Sequence, residues 1–409
     1  MPIFDSLINP IPPIRRGVQA ASFQNENGEN SYVLYDSEGY TEKQLIMAVE
    51  AFPILQLFDG KNSVESIIKK LTEDSGVEIE ESLILGFAQQ LDECYFLVSE
   101  NFKEFRDKEE QEFIESKIRT SVCAGNSYSD KREELTKFFE NLFAKDKSTP
   151  SEEKPLGIVV PHIDLRIGAE TYVPAYKELQ NSEAETFVIF GTSHYGYGDL
   201  FVPTSKDFVT PFGTVETDSE LVELLQKNYP FPAHFKDLAH RQEHSIEFQV
   251  LFLQHVFKNR PFKILPILCT SFFGFMDKGI SPKNEEIFSS FTKALNKGIT
   301  ETGRKVNYIV SADLAHVGKK FGDEFPAKEI LEKLKNEDQS ILDSAVSCQA
   351  EDFYQKISAV KDERRICGLP PIYSFLETAK PKSGKILAYD QWDEAERESA
   401  VTYASAVFY

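Results

Sequence analysis

The sequence predicts an α/β protein in which a small mixed domain precedes a larger layered α/β domain. Length is the first reason, because 409 residues favour two domains over one. From Pro155 to the C-terminus, apolar runs of strand length alternate with helical patterns, which is typical of α/β layers. Several of these runs end in polar residues that can do chemistry, as expected at the ligand-binding edge of an open α/β sheet.

The composition limits the classes of partner and compartment. A formal net charge of −21 argues against nucleic acid as the main partner, because a phosphate backbone needs a basic protein face. No apolar run reaches the roughly 18 residues of a membrane span, and the N-terminus lacks the pattern of a signal peptide. The five cysteines are scattered and include no CxxC pair, so we expect no disulfide framework. These observations predict a soluble cytoplasmic protein that binds neither nucleic acid nor membrane.

Composition divides the chain into four segments. Residues 1–30 are rich in proline and then polar, which indicates an extended arm. Residues 31–105 contain several helical patterns and form the predicted small domain. Residues 106–154 carry dense charge of both signs, which is typical of a solvated helix and linker. Residues 155–409 form the predicted α/β domain.

The small domain contains one clear helix signal. Val64, Ile67 and Leu71 recur at helical spacing after Ser63, which predicts an amphipathic helix capped by that serine. The helix–helix–helix–strand order, with "ILQLFDGKNSVESIIKKL" at its centre, resembles the PqqD-like winged-helix domains. That resemblance implies recognition of a peptide or of a radical-SAM enzyme in a maturation pathway. A generic helical accessory domain is the alternative.

Three histidines follow strand-like runs in the α/β domain. His162 follows "LGIVV", His194 follows "TFVIF" and His316 follows "VNYIV". Because the carboxyl ends of strands line the ligand crevice of an open α/β sheet, these side chains can converge on one site. Cys367 lies in "RRICGLPPI", where a glycine and two prolines indicate a turn. From these residues alone, Cys367 could be a packing residue, a nucleophile or a metal ligand.

The segment "HRQEHSIEFQ" adds a second cluster of polar residues. His240, His244 and Glu247 have the i, i+4, i+7 spacing of one helical face. The order of these residues differs from the HExxH motif of zinc peptidases. We therefore predict that His244 and Glu247 line the substrate pocket or hydrogen-bond around it, rather than bind metal directly.

The region from about 155 to 409 resembles the MEMO family, whose bacterial and archaeal members are called AmmeMemoRadiSam system protein B. Six motifs carry the resemblance in order: "PHIDLRIGAETY", "FGTSHYG", "TPFGTVETD", "EHSIEFQVLFLQ", "SADLAHVG" and "ICGLPPI". It implies a layered α/β/α fold similar to that of the class III, LigB-type, extradiol dioxygenases. It also implies a metal site formed by His162, His194 and Cys367.

The same resemblance implies further pocket residues, namely His244, Asp313 and His316. We expect His316 to transfer a proton as acid or base, and Asp313 to orient it or fix its tautomer. Animal members of the family have "PHAGY" where this chain has "PHIDL", so an aromatic residue is absent and Asp164 and Arg166 lie nearby. This departure puts phosphotyrosine-peptide binding in doubt. Arg166 could instead attract a carboxylate or phosphate group of a small ligand.

Two imidazoles and one thiolate make a three-ligand set with open positions, which suits Fe(II), Cu or Zn. The resemblance to the dioxygenases favours Fe(II) and a nonheme iron oxidoreductase that acts on a small substrate. One alternative is a metal-binding scaffold or partner protein in a radical-SAM-linked pathway. Another is a hydrolase in which Cys367 is the nucleophile.

Overall fold

The computed structural model describes residues 9–24, 28–196, 198–229, 237–258 and 260–409. The chain divides into two compact units, Met1–Glu115 and Ser116–Tyr409. The division falls inside the segment that the sequence predicts as a charged helix and linker. That segment therefore contributes a helix to the first unit and a strand and a helix to the second.

The first unit combines an antiparallel sheet with four α-helices among its described residues. Its elements are β1 (Val18–Gln24), β2 (Asn30–Asp36), β3 (Leu45–Ala48), α1 (Phe52–Gln56), α2 (Val64–Ser75), α3 (Glu81–Glu93) and α4 (Glu100–Glu115). Strand β1 belongs to the segment predicted as an extended arm, yet it pairs with β2 along its whole length. No residue of β1 is buried, so backbone hydrogen bonds hold the strand and leave no apolar pattern in the sequence.

Helix α2 confirms the helix predicted after Ser63. The Ser63 side chain accepts a hydrogen bond from the backbone N–H of Ser66 at 3.2 Å and so caps the helix. Gly76 ends the helix in the left-handed conformation, with φ at 70°. Val64 and Ile67 are fully buried in the core of the first unit, as their helical spacing requires.

The sheet of the first unit precedes its helices in the chain. The strand that the sequence predicts after α3 is present as an isolated bridge between Leu97 and Ile14. The winged-helix character of this unit therefore stays a prediction.

The second unit contains most of the secondary structure. Its strands are β4 (Ile118–Thr120), β5 (Gly157–Val160), β6 (Thr186–Thr192), β7 (Phe201–Pro203), β8 (Asp207–Thr210), β9 (Gly213–Val215), β10 (Lys263–Cys269), β11 (Val306–Ser311), β12 (Asp313–Gly318), β13 (Gly384–Glu394) and β14 (Ser399–Phe408). Its α-helices are α5 (Arg132–Lys145), α6 (Leu165–Leu179), α7 (Ser219–Asn228), α8 (Ser245–Val256), α9 (Phe273–Lys278), α10 (Glu286–Thr302), α11 (Leu331–Val346), α12 (Ala350–Ser358) and α13 (Leu369–Ala379).

Among the described residues, eight strands form the main sheet in the order β12-β14-β5-β11-β6-β10-β7, with β13 paired to β14. The central strands β5, β11, β6 and β10 are parallel, and the outer strands join them in antiparallel fashion. Side chains alternate between two cores, since Ile158 and Val160 enter one and Val159 enters the other. Helices α5, α6 and α8 fill the first core, and α7, α10 and α13 help fill the second. This arrangement confirms the predicted layered α/β/α domain.

The register of the central strands sets the position of the residues that follow them. Val160 at the end of β5 pairs with Ser311 of β11, and Ser311 also pairs with Gly191 of β6. Because these three parallel strands end in line, the loops after them leave the sheet at the same edge. The predicted histidines lie in or just after those strand ends.

In the described ranges, none of the helices is long and apolar enough to span a membrane. The longest of them, Glu286–Thr302, has 17 residues and carries polar residues on one side. A span needs about 20 predominantly apolar residues.

Candidate metal centre

The edge of the sheet brings together the three residues predicted as metal ligands. His162 follows β5, His194 follows β6, and Cys367 lies in the turn before α13. The Sγ atom of Cys367 is 3.3 Å from Nε2 of His162. The three potential ligand atoms lie within 4.8 Å of one another, so a single ion could contact all of them.

His162 is held in the form that can bind a metal. Its side chain is 3% exposed, and burial lowers its pKa to about 3. The ring is therefore neutral near pH 7 and keeps a lone pair on one nitrogen. A neutral imidazole beside a thiol and a second imidazole is a donor set that fits Fe(II), Cu or Zn.

His194 is oriented by a carboxylate that the sequence did not single out. Nδ1 of His194 lies 2.9 Å and 3.1 Å from the two carboxylate oxygens of Glu243. Glu243 is 2% exposed and also accepts hydrogen bonds from the backbone N–H groups of His194 and Ser245. With Nδ1 committed to Glu243, Nε2 is the ring nitrogen left for the hydrogen bond between His194 and Cys367.

The opposite charges of Glu243 and His194 stabilise each other. Burial acts to lower the pKa of His194, but Glu243 and Cys367 outweigh it and raise the pKa well above 6.5. Burial likewise acts to raise the pKa of Glu243, but His194 and His244 outweigh it and hold that pKa far below 4.5. Glu243 is therefore an anion buried against imidazole rings.

Cys367 is placed by a close backbone contact. Burial raises the pKa of its thiol above the usual value. The backbone N–H of Gly368 donates to the carbonyl of Asp313 at 2.9 Å. A Cβ atom at Gly368 would lie 2.5 Å from that carbonyl oxygen, so glycine allows the turn to approach the strand end.

Asp313 fixes the segment that carries His162. Its Oδ1 atom accepts hydrogen bonds from the backbone N–H groups of His162 at 2.9 Å and Ile163 at 3.2 Å. Its Oδ2 atom lies 3.7 Å from Nε2 of His162. Burial raises the pKa of Asp313. Asp313 thus acts on His162 rather than as the orienting partner of His316.

The ring of His316 is oriented by backbone carbonyls. Its Nδ1 atom lies 3.1 Å from the carbonyl oxygens of both Leu314 and Arg365. Because carbonyls only accept hydrogen bonds, Nδ1 carries the proton and Nε2 is the basic nitrogen. Burial lowers the pKa of His316 to about 4, so the ring is neutral near pH 7.

The predicted helical face of His240, His244 and Glu247 is wrong. Helix α8 begins at Ser245, and His240 ends a separate 3₁₀ turn. His244 precedes the helix, and its ring stacks on that of His194 with centroids 5.1 Å apart. His244, His194 and Glu243 form a second cluster with metal-ligand chemistry. His244 therefore lies at the predicted centre, although not for the reason that its spacing suggested.

Glu247 has a structural role in place of the predicted pocket role. Its side chain is fully buried and forms an ion pair with Arg119, which is 1% exposed. The carboxylate also accepts hydrogen bonds from the Tyr128 hydroxyl and from the backbone N–H groups of Val122 and Cys123. These contacts use the hydrogen-bonding capacity of the Glu247 carboxylate. They also hold the segment around β4 against α8.

Asp164 and Arg166 pair with each other at the start of α6. Asp164 caps the helix by accepting the backbone N–H of Arg166 at 2.8 Å, and it also accepts the Ser127 hydroxyl. The guanidinium of Arg166 donates two hydrogen bonds to the same carboxylate. The Arg166 side chain is 66% exposed. The structure shows these residues as a surface ion pair, and the anion-binding role of Arg166 stays a prediction.

A family model described as "Memo-like protein" matches residues 119–407. The chain belongs to the MEMO family. A MEMO1 family protein of Aquifex aeolicus (strain VF5) is 30% identical over 383 residues, which cover 93% of this chain and 96% of that protein. MEMO1 family proteins of Methanococcoides burtonii and Archaeoglobus fulgidus are 31% and 30% identical over 66% and 71% of this chain.

The MEMO match confirms the resemblance predicted from the six motifs. The family model begins at residue 119, near the start of the second unit, rather than at about 155. The Aquifex relative matches more of the chain than the second unit alone contains, so that similarity extends into the first unit.

Proposed function

We propose that this MEMO-family protein is a metal-dependent oxidoreductase of the nonheme iron type that acts on a small substrate. The observation that carries the proposal is the convergence of His162, His194 and Cys367, whose ligand atoms lie within 4.8 Å of one another. Bound there, Fe(II) would supply a redox-active Lewis acid with open coordination positions, and Cu or Zn are the other ions that suit this donor set.

The chain's own residues would prepare this site for chemistry. Burial keeps His162 neutral, Glu243 fixes the ring of His194, and Asp313 holds the backbone that carries His162. His316 is our candidate for proton transfer, because its Nδ1 proton is donated to carbonyls and its Nε2 atom can take a proton from a substrate hydroxyl. Asp313 would influence that proton through its charge, since it acts to raise the pKa of His316.

Turnover is the direct test of catalysis. Protein reconstituted with Fe(II) without oxygen would be mixed with O₂ and a panel of small hydroxylated substrates, and oxygen uptake would be measured. We expect turnover that His316→Ala abolishes while the metal content stays unchanged. Equal turnover in wild type and His316→Ala would contradict the proton-transfer role.

A non-catalytic role is favoured by one further observation, the separate first unit with its own core. In this second proposal the protein is a metal-binding scaffold in a radical-SAM-linked pathway, and the PqqD-like unit binds a peptide or the partner enzyme. Deletion of residues 1–115 would then abolish complex formation, whereas His316→Ala would leave the complex intact.

The free state of all five cysteines supports a cytoplasmic location for either function.

The hydrolase alternative has less support. A nucleophilic cysteine needs a lowered thiol pKa, but burial raises the pKa of Cys367. We therefore expect slow alkylation of Cys367 in the presence of a chelator. Fast alkylation would support the hydrolase alternative.

A further inference from the structure

A cavity of about 220 Å³ lies beside the candidate metal centre, and His194 and Cys367 form part of its wall. At ~30 Å³ for each water, this volume corresponds to about seven water molecules. It is smaller than the ~300–1,000 Å³ that is typical of pockets for drug-sized ligands. The cavity volume therefore favours a small ligand with few non-hydrogen atoms.

Most of the remaining wall is apolar. Phe272, Met276, Leu369 and Cys269 contribute to it. Cys269 is 1% exposed, and burial raises the pKa of its thiol, so it behaves as a small apolar residue here. A ligand that fills the cavity must present an apolar body to these side chains.

Asp362 supplies an unused hydrogen-bond acceptor in the same wall. Its Oδ1 atom accepts the backbone N–H of Ile366 at 2.8 Å. Its Oδ2 atom has no hydrogen-bond partner among the described residues and is not sealed from solvent. Both Asp362 and Lys361 have φ at 50°, a left-handed conformation that aspartate tolerates better than lysine does. The turn thus places Asp362 in the cavity wall with one carboxylate oxygen free of hydrogen bonds from the described residues.

The Arg365 side chain in the same wall does not offer an open anion site. The Arg365 guanidinium donates to both carboxylate oxygens of Asp323, at 2.7 Å and 3.1 Å. Its bidentate edge is therefore occupied, so a carboxylate ligand would meet the Asp362 carboxylate with no free guanidinium edge to bind it. A cationic ligand would meet the guanidinium of Arg365 in the same small space. A neutral hydrogen-bond donor fits both groups.

We infer that this cavity is the substrate site and that Asp362 determines its specificity. The ligand class is a small neutral molecule with an apolar body and a hydroxyl group that donates to Oδ2 of Asp362. Its opposite end lies against His194 and Cys367. The catalytic meaning of this site rests on the function proposed above, whereas the binding preference depends only on the cavity.

Four probes of matched size separate the possible head groups: benzyl alcohol, benzaldehyde, benzylamine and benzoate. Their dissociation constants would be measured by ligand-observed NMR on the full-length protein, and metal content would be measured on the same samples. We expect benzyl alcohol to bind best to the wild type. Asp362→Asn keeps the acceptor for Ile366 and tolerates the left-handed backbone, but it turns an N–H group toward the cavity. Asp362→Asn should weaken the binding of benzyl alcohol about ten- to a hundredfold and should make benzaldehyde the preferred probe.

Two further variants complete the test. Glu363→Gln removes a charge from the neighbouring exposed residue, which is not part of the wall, and should bind all probes as the wild type does. Met276→Trp should fill the cavity and weaken every probe at unchanged metal content. Equal binding of the four probes, or the same preference in Asp362→Asn, would overturn this inference alone. If the wild type prefers benzyl alcohol but Fe(II)-loaded protein turns over no hydroxylated substrate, the proposed function fails and the binding site stands.

Discussion

Glu243 holds Nδ1 of His194 between its two carboxylate oxygens, at 2.9 Å and 3.1 Å. Both oxygens also accept a backbone N–H, from His194 and from Ser245. A metal-ligating histidine usually donates the N–H of its second ring nitrogen to a carboxylate or a backbone carbonyl. This hydrogen bond fixes the tautomer and the ring orientation. The Glu243–His194 pair therefore has the geometry of a prepared metal ligand.

Glu243→Gln is expected to weaken metal binding about 10- to 100-fold. The glutamine amide nitrogen would face either the His194 or the Ser245 backbone N–H, because each carboxylate oxygen accepts one of them. The ring of His194 would then lose its fixed orientation. Competition with a chromogenic chelator measures the affinity.

Glu178→Gln is the matched control, since Glu178 is also buried and accepts a backbone N–H, from Ser151, away from the centre. Its metal affinity should equal that of the wild type. Equal affinities in all three proteins would show that Glu243 does not position His194 for a metal.

Glu247→Gln should destabilise the second unit without weakening metal binding in the folded protein. The change leaves the Arg119 guanidinium buried without its ionic partner, which typically costs about 3–5 kcal/mol. Urea denaturation followed by fluorescence measures the free energy of unfolding, because the single tryptophan, Trp392, lies in the second unit. A variant that keeps its free energy of unfolding but loses metal affinity would instead indicate that Glu247 belongs to the substrate pocket.

Gly368→Ala should reduce both stability and metal affinity. Its Cβ atom would lie 2.5 Å from the carbonyl oxygen of Asp313 and 2.8 Å from the side chain of Ala312, so the Cys367 turn must move. Overpacking of this kind costs about 1–3 kcal/mol. Gly274→Ala is the control, because beyond its own helix backbone and chain neighbours no described atom lies within 4 Å of the added Cβ. Wild-type metal affinity in Gly368→Ala would mean that the turn does not set the position of the thiol.

Metal-free protein should lose stability as the pH falls from about 7 to 5. His240 is 1% exposed, and burial lowers its pKa to about 4. In the unfolded chain its pKa is about 6.5, so below that pH the unfolded state binds a proton that the folded state refuses. At pH 5 this one residue lowers the free energy of unfolding by about 1–2 kcal/mol.

His240→Gln keeps an N–H donor for the carbonyl of Val202 and removes the titrating ring. Urea denaturation at pH 7 and pH 5 should therefore show a smaller loss of stability in the variant. The same loss in both proteins would mean that His240 is protonated in the folded state or that other groups dominate.

The sequence was sufficient to predict the layered domain, whereas the set of three candidate ligands was implied by the family resemblance. His162 and His194 follow apolar strand runs, and the position of a strand end is encoded locally by the change from apolar to polar residues. Cys367 was found from its motif, because its partners are distant in sequence. The Cys367–His162 contact joins residues 205 positions apart, and no local pattern reports such a contact.

Other contacts left no usable signal. Arg119 reaches Glu247 across 128 positions, so its segment resembled a charged linker. The helical spacing of His240 and His244 predicts a helix that includes both residues. The helix starts only at Ser245, whose backbone N–H donates to Glu243. The left-handed backbone of Asp362 depends on the surrounding turn and could not be inferred from its residue type.

Metal analysis tests the central claim most directly. Wild type, His162→Ala and Cys367→Ser would be purified without oxygen, and the bound Fe, Cu and Zn would be measured per chain. We expect about one ion per wild-type chain and a large loss in both variants, because each removes one of three ligands. Equal metal content in all three proteins would contradict the His162–His194–Cys367 centre.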